Sequence, residues 1–186
     1  MTDMRITPYL LATAAILFAA SPVLAFPAVG EKAPAVAGTD ISGKARTLKS
    51  VAGKRGTVLM FFRSAEWCPY CKAQLIAMNT EAAEALKDRG YNLVGLSYDA
   101  VPVLAKFAAE RKVGWTLLSD PQSATIDGWA LRDPAYPPGN RAHGVPRAAV
   151  YVIDGKGTIR ARLMEENYRN RPPAAAVIAA VDALGK

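Results

Sequence analysis

Residues 57–71 read TVLMFFRSAEWCPYC, and this stretch decides the fold. Thr57 to Phe62 is a continuous apolar run with a β-branched and aromatic bias, the pattern of a strand covered on both faces. From Cys68 the period changes. Leu75, Met78, Ala82 and Leu86 fall on one stripe at helical spacing, and Gly90 stops it. Cys68 and Cys71, the chain's two cysteines, therefore stand where a buried strand becomes a helix. Unpaired amides and the macrodipole make a helix N-terminus positive. Such a position lowers a thiol pKa from about 8.5 into the range ~3.5–7.5. Residues at i and i+3 on a helix have Cβ atoms roughly 5–6 Å apart, near bridging distance, so the second sulfur can close a disulfide on the first.

The rest of the chain fits around this unit. Phe26 to Ser50 reads as an extended segment with a short hairpin around Gly43. Tyr91 to Ser97 is a second strand, and Pro102 opens a second helix that runs to about Lys112. Trp115 to Leu118 is a short strand, and Asp120-Pro121 begins a brief helix through Ile126 and Leu131. A Pro- and Gly-rich loop follows from Asp133 to Val145. Ala148 to Ile153 and Thr158 to Leu163 are apolar runs joined by Asp154-Gly155, a strong hairpin signal. Pro172-Pro173 starts a final helix. Strands alternating with helices demand parallel pairing and crossovers, and the terminal hairpin adds an antiparallel edge. The expectation is an α/β fold, a mixed central β-sheet with helices on both faces.

The first residues read as an export signal. Tyr9 to Ala20 is a short apolar run, Ser21-Pro22 breaks it, and Val23-Leu24-Ala25 fits a small-residue cleavage site. The run is shorter than the ~20 apolar residues of a membrane span. We expect residues 1–25 to be a signal peptide cleaved after Ala25, and residues 26–186 to be one domain in the periplasm, with no stable membrane insertion after cleavage. An oxidising compartment lets disulfides persist. The formal charge is +7, but the basic residues are dispersed, from Lys44, Arg46, Lys49, Lys54 and Arg55 to Arg160, Arg162, Arg169 and Arg171. They read as solvated faces, and no nucleic-acid partner is expected.

A C-x-x-C at the start of the first helix of a βαβ unit, with Gly144-Val145-Pro146 before a later strand and hairpin, resembles the thioredoxin superfamily. The stretch FFRSAEWCPYCKAQL at residues 61–75, SYD at 97–99 and LLSD at 117–120 are similar to the peroxiredoxin-like proteins of the alkyl hydroperoxide reductase/thiol-specific antioxidant family, the redoxin-domain proteins. The likeness runs from about Ala33 to Leu163. It implies a thioredoxin-like redoxin domain whose only prosthetic element is the redox-active Cys68–Cys71 disulfide, with no cofactor.

The resemblance assigns roles. Cys68, exposed and nearest the positive end, is the nucleophile. Cys71 lies deeper and resolves a mixed disulfide or a sulfenic acid on Cys68. Pro146 matches the superfamily's cis-proline and turns the backbone of Val145 toward an extended substrate. Arg147 matches an arginine that steadies the thiolate and the peroxide oxygens, a task suited to a guanidinium fork; Arg63 is a second candidate. Glu66 opposes both, since a nearby carboxylate disfavours the thiolate. Trp67, Pro69, Tyr70 and Val145 form the substrate-facing surface. Pro69 and Tyr70 also set the helix start, and Trp67 shields the site. His143, the single histidine, reads as a polar loop residue. Peroxiredoxins also place a Thr or Ser three residues before the reactive Cys and a Pro four residues earlier; here these are Ala65 and Phe61. Losing that hydroxyl removes ~2–4 kcal/mol of transition-state stabilisation by analogy with oxyanion donors.

The leading expectation is therefore a periplasmic thiol–disulfide oxidoreductase working on protein or small-molecule disulfides. An alternative is a thiol peroxidase recycled by a reductant such as a thioredoxin-like protein. A third reading, of another class, is a Cu(I)-binding chaperone using Cys68, Cys71 and His143, since soft thiolates select Cu(I). The chain has C-x-x-C where such carriers resemble C-x-x-x-C, and no metal site is expected.

Overall fold

The computed structural model describes residues 25–185. The expected signal peptide falls almost wholly outside the described residues. The elements run in the order β1 (Ala37–Asp40), β2 (Ala45–Thr47), α1 (Leu48–Val51), β3 (Gly56–Phe61), α2 (Pro69–Ala77), a π-helical turn (Met78–Ala82), α3 (Ala83–Asp88), β4 (Tyr91–Ser97), α4 (Val101–Arg111), β5 (Thr116–Ser119), α5 (Ala124–Gly128), β6 (Ala149–Asp154), β7 (Ile159–Leu163) and α6 (Ala174–Asp182). The α5 helix is shorter than the sequence suggests, ending at Gly128 rather than reaching Leu131.

The seven strands form one mixed sheet in the order β2-β1-β5-β4-β3-β6-β7. β3, β4 and β5 are parallel, as the intervening helices require, while β6, β7 and the β1–β2 hairpin run antiparallel to their neighbours. Gly43 turns the β1–β2 hairpin with φ +85°, a conformation that favours glycine.

Strand alternation divides the core in two. Val58, Met60 and Phe62 face the side covered by α2, α3, α4 and α6, together with Leu75, Met78, Ala82 and Leu86. Leu59 and Phe61 face the other side, against Val51, Ile126, Trp129 and Tyr151. Period-2 geometry sends consecutive β3 residues to opposite faces, and both faces are covered, so every β3 residue is buried. All four residues of the predicted helical stripe are fully buried, and the stripe stays aligned through the π turn. Cys68 and Cys71 lie at the edge of the first of these two cores. None of the described helices is long and apolar enough to cross a membrane.

Candidate active site

β3 delivers the chain to the sheet's end, and a pinned turn then hands it to α2. The Asp99 carboxylate, at the end of β4, accepts the Ala65 N–H at 2.7 Å. Ser64 Oγ accepts the N–H of Glu66 at 2.9 Å and of Trp67 at 3.4 Å. Ser64 is thus fully buried beneath the turn and does not replace the hydroxyl missing at Ala65. Burial, the largest influence on Asp99, raises its carboxyl pKa; the Ala65 amide and the Ser64 and Ser97 hydroxyls act in the opposite direction. The SYD segment therefore serves the turn, while LLSD braces Asp99 and opens α5. Ser119 Oγ donates to the Asp99 carbonyl at 2.6 Å, and Asp120 accepts the Ala124 and Ile126 amides that open α5.

Cys68 is the N-cap of α2, with extended φ/ψ, and Pro69 occupies the first helical turn, where its missing N–H costs nothing. Cys68 Sγ accepts the Cys71 N–H at 3.2 Å, so the sulfur itself satisfies one of the helix's unpaired amides. The same contact would hold a thiolate in the reduced protein. Cys68 and Cys71 are joined as a disulfide, their Cα atoms 5.3 Å apart. Cys68 is not exposed as the sequence suggests: it is 3% accessible and Cys71 0%. The residues flanking Cys68 in sequence are the exposed ones: Trp67 and Tyr70 are each 38% accessible, and Pro69 is exposed as well. Trp67 Nε1 donates to the Tyr98 hydroxyl at 2.9 Å, and the Tyr70 ring meets Tyr168 edge-on with centroids 6.0 Å apart.

Three expectations around the Gly-Val-Pro-Arg segment are corrected. There is no cis peptide bond among the described residues, so Pro146 is trans; it is buried and bridges to Arg132. Val145 does not offer its backbone to a substrate, because its N–H donates to the Ala142 carbonyl and its carbonyl accepts the Asp133 N–H. Arg147 contacts neither sulfur. Its guanidinium lies over the Phe26 ring, 5.4 Å from the centroid. The segment's glycine is structural: Gly144 has φ +96°, and a Cβ there would sit 2.5 Å from Ser123 Oγ.

His143 is held away from the cysteines, its Nε2 3.0 Å from Arg132 Nη1 and its Nδ1 2.9 Å from the Tyr136 carbonyl. The three-ligand copper site therefore does not form. Among the described residues no group of three or more His, Cys, Asp and Glu side chains is placed to hold a metal. Glu66 is exposed on the turn, where its backbone carbonyl accepts from Lys72.

The guanidinium at the sulfurs belongs to Arg171, from the loop before α6. Its Nη2 lies 3.5 Å from Cys71 Sγ and 3.8 Å from Cys68 Sγ. Its Nη1 donates to the Tyr168 and Asn170 carbonyls. Sequence reasoning placed Arg171 among dispersed surface charges; no local signal marked it, since it meets the cysteines only through the tertiary fold. Burial first, and then the neighbouring Arg63 charge, pull its pKa below the ordinary guanidinium value. Arg63 is also buried. It pairs with Asp133 at 3.2 Å and sits among the rings of Tyr136, Trp67 and Tyr168, at 4.8, 5.6 and 5.7 Å from their centroids. A cleft of about 790 Å³ opens beside these two arginines, walled further by Phe26, Arg147, Arg162 and Met164.

The chain and its fold resemble those of known proteins. A family model described as the AhpC/TSA family matches residues 29–162. The chain is 30% identical, over 70% of its own length and 80% of the relative's, to a Mycobacterium tuberculosis protein named as a peroxiredoxin. It is 28% identical to the chloroplastic peroxiredoxin Q of Populus jackii, covering 70% of this chain and 57% of that one. Its fold superposes on the crystal structure of peroxidoxin BcpB from M. tuberculosis with a TM-score of 0.73, at 23% identity, over 85% of this chain and 98% of that one. Peroxiredoxin Q of Xanthomonas campestris aligns with a TM-score of 0.68, at 21% identity, over 88% and 98%. A disulfide-linked cysteine pair at the start of α2, a seven-stranded sheet and these relatives lead to one conclusion: the chain belongs to the AhpC/TSA family, the peroxiredoxins.

Proposed function

We propose that this protein is a thiol peroxidase that reduces hydroperoxides through Cys68 and Cys71. The observation that carries this reading is the Cys68 sulfur capping α2, bonded by the Cys71 amide and linked to the Cys71 sulfur. The Cys68 thiolate attacks the terminal oxygen of ROOH. An S–O bond forms and the O–O bond breaks, giving Cys68–SOH and RO⁻, which takes a proton from water. The Cys71 thiol then attacks the sulfenic sulfur, forming the disulfide and releasing water. A thioredoxin-like dithiol returns the pair to its reduced form. The expected leader at residues 1–25 supports a periplasmic location for this activity.

A second reading, dithiol–disulfide exchange with protein or small-molecule disulfides, is favoured by one observation: Ala65 offers a peroxide no hydroxyl, and its N–H is taken by Asp99. One experiment separates the two. The reduced protein is mixed in turn with hydrogen peroxide, an organic hydroperoxide and an oxidised test protein, and Cys68 is followed by alkylation and mass. Sulfenic acid within seconds at micromolar peroxide supports the peroxidase. Exchange with the test protein alongside slow reaction with both peroxides supports the oxidoreductase and removes the first reading.

A further inference from the structure

We propose that the cleft beside the disulfide binds a small zwitterionic thiol, a short cysteine-containing peptide, which reduces the Cys68–Cys71 bridge alongside a protein dithiol. The proposal rests on the reading of that pair as a couple that must be recycled, and on no step with peroxide. The cleft, of about 790 Å³, is of small-molecule size. It adjoins the sulfurs: Arg171 lines it, and Arg171 Nη2 lies 3.5 Å from Cys71 Sγ. Phe26 gathers two cations on its wall. The Phe26 ring lies under the Arg147 guanidinium, 5.4 Å from centroid to carbon, and the Phe26 and Pro27 carbonyls accept from Arg162 Nη1 at 3.4 and 3.3 Å. Guanidiniums held this way suit a carboxylate. Glu165 and Glu166 line the same cleft. All four side chains are exposed, and among the described residues none of them forms an ion pair. Charges of both signs therefore face one cavity without neutralising each other. A simple anion meets Glu165 and Glu166 as like charges, and a simple cation meets the two arginines. A ligand with an ammonium at one end and a carboxylate at the other satisfies both sets, and Phe26 and Met164 offer apolar contact to the body between. Both carboxylates, and the residue that anchors both arginines, lie outside residues 29–162, the part of the chain that the family model matches.

The peptide thiolate attacks Cys68 Sγ. A mixed disulfide forms as the Cys68–Cys71 bond breaks, and Cys71 leaves as a thiolate. A second peptide thiolate attacks the peptide sulfur of the mixed disulfide and frees the Cys68 thiolate. Two peptide thiols are thereby oxidised to one peptide disulfide, the bridge gains two electrons, and the two thiol protons reach the protein sulfurs through solvent. Both protein sulfurs are almost inaccessible. A donor already held in the adjoining cleft is present at each opening of the first turn of α2, whereas a free donor must arrive during it.

The test starts from the oxidised protein and uses no peroxide. The probes are four forms of glycyl-cysteinyl-glycine at equal thiolate concentration: both termini free, the amine acetylated, the carboxylate amidated, and both blocked. Alkylation and intact mass follow the appearance of the two protein thiols. The free form reduces the bridge at about fivefold lower concentration than either singly blocked form, the upper end for an exposed ion pair. In the double variant Arg147→Gln with Arg162→Gln, the gain from the free carboxylate falls to within about twofold of none. In Glu165→Gln with Glu166→Gln, the gain from the free amine falls in the same way. Each gain is a ratio measured within one protein, so a change in stability cancels from it. Equal reduction of the wild type by all four forms overturns the proposal. So does a gain from the carboxylate alone, or a gain that survives in its matched variant. A protein that shows both gains yet ignores hydrogen peroxide loses the peroxidase reading and keeps the ligand of the cleft.

Discussion

The Asp99 carboxylate accepts the Ala65 amide hydrogen at 2.7 Å across 34 residues of sequence. This bond fixes the turn that aims Cys68 at the start of α2. Asp99→Ala leaves the Ala65 N–H buried without a partner, at a cost of about 1–3 kcal/mol. Asp99→Asn keeps an acceptor there and costs less. The pH dependence separates the variants further. Burial raises the Asp99 pKa, so the folded protein holds that proton to higher pH than the unfolded chain does. Its ionisation then lowers stability as pH rises from about 4 through the raised native value. Asp99→Asn removes this slope. Urea midpoints at pH 4 and pH 7 will show the asparagine variant gaining on wild type toward neutrality.

Cys71→Ser tests the division of labour between the sulfurs. The variant reacts with peroxide but cannot form the disulfide, so Cys68 stops at sulfenic acid and excess peroxide drives it to sulfinic acid. Intact mass will show additions of one and then two oxygens. Cys68→Ser shows neither. A Cys71→Ser protein that resists peroxide while the Cys68→Ser protein reacts would reverse the roles.

Arg63 and Asp133 form a buried pair, their side chains 5% and 14% exposed. Removing one partner of such a pair leaves an uncompensated charge. Asp133→Ala is expected to cost about 3 kcal/mol, measured by chemical denaturation. Replacing both with apolar residues costs less than this, because no charge is then stranded. The three aromatic rings around Arg63 retain part of its attraction in the single variant.

Asp40 closes the β1–β2 hairpin. Its carboxylate accepts from the Ser42 hydroxyl and Arg46 Nε, both at 2.6 Å, and from the Ser42 and Lys44 amides. The Ser42 hydroxyl bond, foremost, holds its pKa well below the usual carboxylate range. A depressed carboxyl adds stability that is fully present above its unfolded value near 3.9 and is lost as pH falls below it. Melting temperatures taken between pH 5 and pH 2 will fall more steeply for wild type than for Asp40→Asn, which cannot titrate.

The sheet was legible because its signals are local. Phe61 and Phe62 point to opposite faces by simple alternation, and Leu75, Met78, Ala82 and Leu86 keep one stripe even through the π turn between α2 and α3. Asp154-Gly155 marked the β6–β7 hairpin for the same reason. The C-x-x-C at the helix start was equally plain. The surroundings of the sulfurs were not, because they are assembled by long-range packing. Arg147 stands one residue after Pro146, yet Phe26 draws its side chain away. Arg171 stands 100 residues from Cys71 in a polar loop whose composition says only that it is exposed. The same loop brings Tyr168 against Tyr70 on the first turn of α2. Charge in a sequence gives no direction, and only the path of the chain into α6 shows where that arginine ends.

The oxidised sulfurs belong to the core cluster under α2, with Cys68 3% and Cys71 0% accessible. A reductant therefore meets almost no sulfur surface, and we expect transfer to wait until the first helical coil loosens. Recharging then has a ceiling set by the molecule's own breathing. Raising the donor dithiol concentration speeds recovery only until that rate is reached, and the plateau equals the frequency with which the Cys68–Cys71 bridge comes into water.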